Sequence, residues 1–109
     1  MKTLYHPKTE DIELANVLYA LGDQTRLQIV KSMSNKEVSC NEVGLDRLKS
    51  TLSYHYKILR EAGIIRTRIE GTQRFMSLRR DDLNSRFPGF LDTILVSLGQ
   101  TSELLTSDK

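Results

Sequence analysis

Apolar residues recur at helical spacing through most of this chain and switch to strict alternation in one stretch. Leu14, Val17, Leu18 and Leu21 fall at i, i+3, i+4 and i+7, which predicts a helix from about Glu10 to Leu21. Thr9 is a suitable N-cap, and Glu10, Asp11 and Glu13 suit its first turn. Gly22 stops it. Asp23 is the candidate N-cap of a second helix reaching about Met33, with Leu27, Val30 and Met33 on one face. After a polar connection over 34–37, Ser39-Cys40-Asn41-Glu42 has capping-box spacing and predicts a short third helix. Val43 and Leu45 supply its apolar contacts, and Gly44 limits its length. Leu48, Leu52, Tyr56 and Leu59 are the buried stripe of a fourth helix from about Lys49 to Ala62, closed by Gly63 in a left-handed cap. The opposite stripe, Ser50, Ser53, Tyr54 and Lys57, holds no aliphatic side chain, so it faces solvent or a partner.

The period then becomes two. Ile65, Thr67 and Ile69 alternate with Arg66, Arg68 and Glu70, the pattern of a half-buried strand. Glu70-Gly71-Thr72 reads as a turn and Gln73 to Leu78 as the return strand of a hairpin. Two strands alone are unstable in water, so this hairpin must pack on the helices. Asp81-Asp82-Leu83 starts a short turn in which the adjacent acids serve as caps. Phe87, Phe90, Leu91, Ile94, Leu95 and Leu98 give a terminal helix a wide apolar face. Gly99 is expected to weaken or end it, with Leu104 and Leu105 leaving an extension open.

Helices followed by a hairpin give a mainly α fold with a small β-hairpin, the winged helix-turn-helix plan, in one domain over 1–109. The helix-turn-helix occupies 39–63 and the wing 64–79. A chain of 109 residues is long enough for one domain and short enough that self-association is a natural supplement to its core. No apolar run approaches a membrane span, and Met1-Lys2-Thr3-Leu4-Tyr5-His6-Pro7 lacks the apolar stretch of a signal peptide. One cysteine, Cys40, rules out an intramolecular disulfide and fits a reducing, cytoplasmic setting.

Charge sharpens the picture. The net charge is only +2, but Arg47 to Arg80 holds nine Lys/Arg against Glu61 and Glu70, a surplus of seven, and the rest of the chain carries −5. A basic ridge on a helix-turn-helix and its wing suits double-stranded DNA. Ser50 and Ser53 allow close approach to a groove, and Tyr54 and Lys57 reach bases or phosphates. The full set of candidate DNA-contacting residues is Lys49, Ser50, Thr51, Ser53, Tyr54, His55, Lys57 and Arg60 on the helix, with Arg66, Arg68, Thr72, Gln73 and Arg74 on the wing. The alternative is a module that docks an acidic protein partner through the same basic face.

Two segments carry a resemblance. Ala20-Leu21-Gly22-Asp23-Gln24-Thr25-Arg26-Leu27 is similar to the start of the second helix in ArsR-type bacterial transcriptional repressors. The run from Lys49 to Ile65, STLSYHYKILREAGI at its centre, resembles their recognition helix entering the wing, and Gly71 with Arg74 matches the wing tip. The resemblance spans roughly Leu14 to Leu98. It implies a homodimer that binds an inverted repeat near a promoter, represses, and releases DNA when an inducer binds. It also implies that the segments 8–22 and 87–106 pack against their partners. The expected interface is Leu14, Val17, Leu18, Phe90, Leu91, Ile94, Leu95 and Leu98, unless these stripes complete the monomer core instead. Members often carry His where this chain has Tyr54; here His55 follows, on the flank between the two stripes, with packing or a phosphate contact as its expected role.

The residues offer no metal site, since Cys40 has no second cysteine beside it, His6 and His55 lie on unrelated elements, and the last helix has Asp92 without His. No cofactor motif and no nucleophile–base set is present, so catalysis is not expected. Cys40 is expected in the first turn of the third helix, where a helix dipole would lower its pKa; a structural thiol is the favoured reading and a redox sensor the alternative. The sequence does not identify an inducer.

Overall fold

The computed structural model describes residues 4–40 and 49–107, with side chains described for 4–40 and 50–99. A 3-10 turn, Thr9–Asp11, precedes helices α1 (Leu14–Leu21) and α2 (Gln24–Ser32) and the short strand β1 (Val38–Ser39). Then come helix α3 (Lys49–Glu61), strands β2 (Ile65–Glu70) and β3 (Gln73–Leu78), and helices α4 (Arg80–Arg86) and α5 (Phe90–Ser107). The short third helix expected after Ser39, with Val43, Gly44 and Leu45, lies outside the described residues, as do Arg47 and Leu48.

The first helix begins later than its pattern suggests. Ile12 is extended (φ −75°, ψ 122°), and α1 starts only at Leu14. Two contacts hold Ile12 out of a helix. Its side chain is buried beneath Gly63, where an added Cβ would meet Ile12 Cγ1 at 2.6 Å. Its carbonyl accepts from Arg86 Nε (3.0 Å) and Nη2 (2.6 Å), which removes it from any helical ladder. Thr9 therefore caps nothing. Its hydroxyl donates to Asp82 Oδ1 at 2.8 Å. The second helix matches its pattern: the Asp23 carboxylate accepts from the Arg26 amide at 3.0 Å, and that bond holds the carboxyl below its ordinary range.

The hairpin turns through Gly71-Thr72, with Gly71 at φ +63° and Glu70 facing Gln73. A two-residue loop needs positive φ at its first position, which glycine takes without strain. The sheet has three strands rather than two, in the order β1-β3-β2, all antiparallel. Val38 faces Met76 and Ser39 faces Phe75. Ser39 thus ends a ladder, and the third helix that it is expected to cap lies outside the described residues. The third strand answers the instability of an isolated hairpin, and buried Val38 anchors it.

The core joins Val17 and Ala20 of α1, Ile29, Val30 and Met33 of α2, Leu59 of α3, Ile65 and Met76 of the sheet, Leu83 of α4 and Leu91 of α5. Two residues assigned to a dimer interface are corrected by this. Val17 is 0% and Leu91 2% exposed within the single chain, so neither side chain can reach a second copy. Ile69 departs in the other direction. The alternation placed it inward, yet it is 49% exposed because it lies near the hairpin tip. In the tail, Phe87 caps α4 rather than joining α5, and α5 runs through Gly99. Asp81 and Asp82 lie in the first turn of α4, and Asp82 serves as a hub for other segments, described below. Among the described residues no helix is long and apolar enough to cross a membrane.

Candidate nucleic-acid interface

Helix α3 has 13 residues, about 20 Å of axis, and divides sharply into two faces. Leu52, Tyr56 and Leu59 are buried, while Ser50, Thr51, Ser53, Tyr54 and Lys57 are exposed, Tyr54 at 57%. No ion pair engages Lys57 among the described residues. The exposed face is thus small hydroxyls, one aromatic phenol and one free cation. Such a face can enter a groove closely and offer both donors and acceptors to base edges. The side chain of Lys49 lies outside the described set.

His55 takes the packing role expected for it: its ring is half-buried and tied inward. Arg26 Nη1 donates to His55 Nδ1 at 3.1 Å. Arg26 itself is buried at the α1–α2 corner; its Nε donates to the Ala20 carbonyl (2.6 Å) and its Nη2 to the Tyr19 carbonyl (3.5 Å). Arg26 thereby satisfies carbonyls at the end of α1 and holds α3 through His55. Because guanidinium only donates, His55 Nδ1 is the acceptor of this bond. Arg60 is drawn away too: its Nε donates to the Tyr5 carbonyl at 3.0 Å.

The wing is rich in arginine, but tertiary contacts engage most of it. Arg68 donates through Nε and Nη2 to both Glu37 oxygens, each at 2.9 Å, and through Nη1 to Glu70 Oε1 at 2.6 Å. Its guanidinium also lies 4.5 Å from the Phe75 ring centroid. The hydrogen bond from Arg68 holds Glu37 below its ordinary carboxylate pKa. Arg66 Nη2 donates to Asp82 Oδ2 at 3.2 Å. Behind the wing, buried Arg79 donates to the same Asp82 oxygen (2.9 Å) and to the Pro7 carbonyl (2.8 Å). Bonds from Thr9 and then Arg79 hold the Asp82 carboxyl below its usual range. Arg74, at the hairpin tip, is exposed and unpaired among the described residues. Arg68 and Arg66 thus stand on the predicted ridge with their charge already met by carboxylates, and Arg74 with its charge available.

The helix face and the hairpin tip share one cleft. Ser53 of α3 and Thr72, Gln73 and Arg74 of the turn and β3 line it together, so residues far apart in sequence form one continuous surface. Four contributors were not anticipated. Arg26 and Asp82 are organising hubs, Glu37 neutralises the wing, and His6 fastens the N-terminal segment. His6 Nε2 accepts from the Thr67 amide at 3.0 Å while its Nδ1 faces the Leu4 carbonyl at 3.1 Å. Burial lowers the His6 pKa below its ordinary value. The charge count could have flagged Glu37 as an acid outside the basic third; no local pattern announced the other three.

Of the remaining expected interface, Leu14 and Leu18 are exposed on α1, Leu18 at 50%, and Phe90, Ile94, Leu95 and Leu98 are half-buried on α5. Tyr19 and Val96, not anticipated, are exposed beside them in sequence. Cys40 follows β1 directly and is half-buried; burial pushes its thiol pKa up, opposite to the lowering expected from a helix dipole. Among the described residues, no group of three His, Cys, Asp or Glu side chains is placed to hold a metal ion.

Comparison with known proteins agrees with this geometry. Residues 23–67 match a family described as bacterial regulatory protein, arsR family. The chain is 42% identical over 91 residues to the uncharacterized HTH-type transcriptional regulator YceK of Bacillus subtilis, covering 80% of this chain and 91% of that one. The crystal structure of the transcriptional repressor BigR from Xylella fastidiosa superposes with a TM-score of 0.57 at 29% identity, over 74% of this chain and 97% of that one. Another crystallised ArsR-family transcriptional regulator shares the fold, with a TM-score of 0.62 at 22% identity, over 86% of this chain and 97% of that one.

Proposed function

The chain belongs to the ArsR family of bacterial regulatory proteins and is a DNA-binding transcriptional regulator; from that premise we propose that it is a cytoplasmic repressor that binds an inverted-repeat operator as a homodimer. One observation carries the reading: Ser53, on the exposed face of α3, and Arg74 of the hairpin, unpaired among the described residues, line the same cleft. Ser50, Ser53, Tyr54 and Lys57 read base edges in the major groove. Arg74 anchors a phosphate or enters the neighbouring minor groove, with Thr51, Thr72 and Gln73 contacting the backbone. Arg66 and Arg68 shape the wing more than they hold DNA. The exposed Leu14 and Leu18 support the dimer, with the half-buried side chains of α5 beside them in the role. A two-fold pair of recognition helices would then meet half-sites about one helical turn apart.

Selection of bound duplexes from a random pool tests the reading. Enrichment of a palindrome, with affinity falling steeply as salt rises, is the expected result. Tight binding without sequence preference would favour a docking module for acidic partners and overturn the operator assignment. Light scattering of Leu18→Glu tests the interface, and a dimer that survives it removes α1 from the assembly.

A further inference from the structure

A cleft of about 380 Å³ opens between α3 and the sheet. Its apolar part comes from Leu52 of α3 and Met76 of β3, both buried. Its polar rim comes from Ser53, Arg60, Thr72, Gln73 and Arg74, with Arg60 held through Nε by the Tyr5 carbonyl. No carboxylate lines it among the described residues. Tyr56 and Thr67 complete the wall, and the hydroxyl oxygens of both are buried without a hydrogen-bond partner. Buried hydroxyls are ordinarily satisfied, and unsatisfied ones cluster where a group is missing. Cys40 also lines the cleft, and burial pushes its thiol pKa up.

An apolar floor, cationic side chains at the rim and a few convergent hydroxyls are the features of a pocket for a small amphiphilic anion. We propose that this cleft binds a small organic carboxylate, with its anionic end on Arg74 and its apolar body against Leu52, and that the occupied cleft excludes DNA. The exclusion follows from shared groups. Ser53 and Arg74 are assigned above to a base edge and a phosphate, and a bound carboxylate would cover the one and neutralise the other. This second half rests on the proposed DNA interface; the occupancy itself does not.

The test uses the full chain labelled with 15N, titrated with 2-naphthoate and, separately, with neutral 2-naphthamide. Saturable amide shifts at Thr67, Gln73 and Arg74 with the carboxylate alone are expected. Arg74→Gln, at an exposed position, should weaken naphthoate about tenfold while leaving the rest of the spectrum unchanged. No saturable shifts, shifts confined elsewhere, or an equal response to the amide would overturn the site. In a second arm, a random-sequence duplex is titrated at low salt with naphthoate held at ten times its own Kd. Mutually exclusive binding predicts an apparent DNA affinity about elevenfold weaker. Unchanged DNA affinity with the cleft occupied overturns the exclusion. A chain that takes naphthoate in the cleft but binds no duplex brings down the DNA reading instead, so the two failures are told apart.

Discussion

The recognition face of α3 and the wing reach the same surface by opposite routes. The wing carries more formal charge, yet Arg68 is held by Glu37 and Glu70, and Arg66 by Asp82. The helix face carries one described cation, Lys57, and nothing in the described structure engages it. Charge counted along a chain is therefore not charge available to a polyanion. Exposed ion pairs of this kind contribute little to stability, but they set what a phosphate must displace to bind. The wing becomes a stiff, nearly neutral support that presents Arg74, and the helix supplies the discriminating contacts.

The largest expected effect comes from inverting the helix face. Ser53→Asp puts a carboxylate where the groove is most negative and should weaken DNA binding about 100-fold, as gel shift or anisotropy would show. A loss under threefold would move the contact surface away from α3. Next is the support beneath it. Arg26→Met leaves the Ala20 carbonyl and His55 without their donor and should destabilise the fold by about 2 kcal/mol in urea unfolding. An unchanged midpoint would show that Arg26 is dispensable to the corner. Third, Arg74→Ala should reduce affinity for every duplex alike, several-fold, and lower the salt slope by about one. Loss of discrimination at one base pair, with the slope kept, would make Arg74 a base-reading residue. Arg68→Ala should move the slope far less, whereas Glu37→Gln, which frees Arg68, should raise affinity for random DNA. If Arg68→Ala matches Arg74→Ala, the proposed contrast between paired and unpaired wing arginines fails.

The smallest effect concerns pH and lies outside the DNA face. His6 is neutral in the fold, accepting from the Thr67 amide, and its pKa is lowered mainly by burial. The unfolded chain then binds a proton more readily than the folded one. The contribution of His6 is complete above about pH 6.5 and is lost as pH falls through its lower folded value. The protection of the Thr67 amide, corrected for the intrinsic pH dependence of exchange, should fall over that range, and in His6→Ala it should be low at every pH. Protection that does not change with pH in the parent chain would mean the contact is not made in solution.

Much of the architecture was legible because it is periodic. The inward stripe of Leu52, Tyr56 and Leu59, the cap at Asp23, the positive φ of Gly63 and Gly71, and the hairpin from Ile65 to Leu78 all follow from spacing or from glycine's conformational freedom. The exposed face of α3 was legible for the same reason. What failed were assignments that depend on partners distant in sequence. Val17 and Leu91 look like any member of their stripes, and only neighbouring helices bury them completely. Ile12 is kept out of α1 by Arg86 and Gly63.

Local order, the hairpin turn and the sign of the helix-and-wing surface were thus settled by residue type and period alone, since propensity and patterning act over a few neighbouring residues. Which arginines stay free, which histidine turns inward and where a cleft opens were decided by the fold. Those outcomes depend on carboxylates and carbonyls brought within about 3 Å by chain segments that no local period connects.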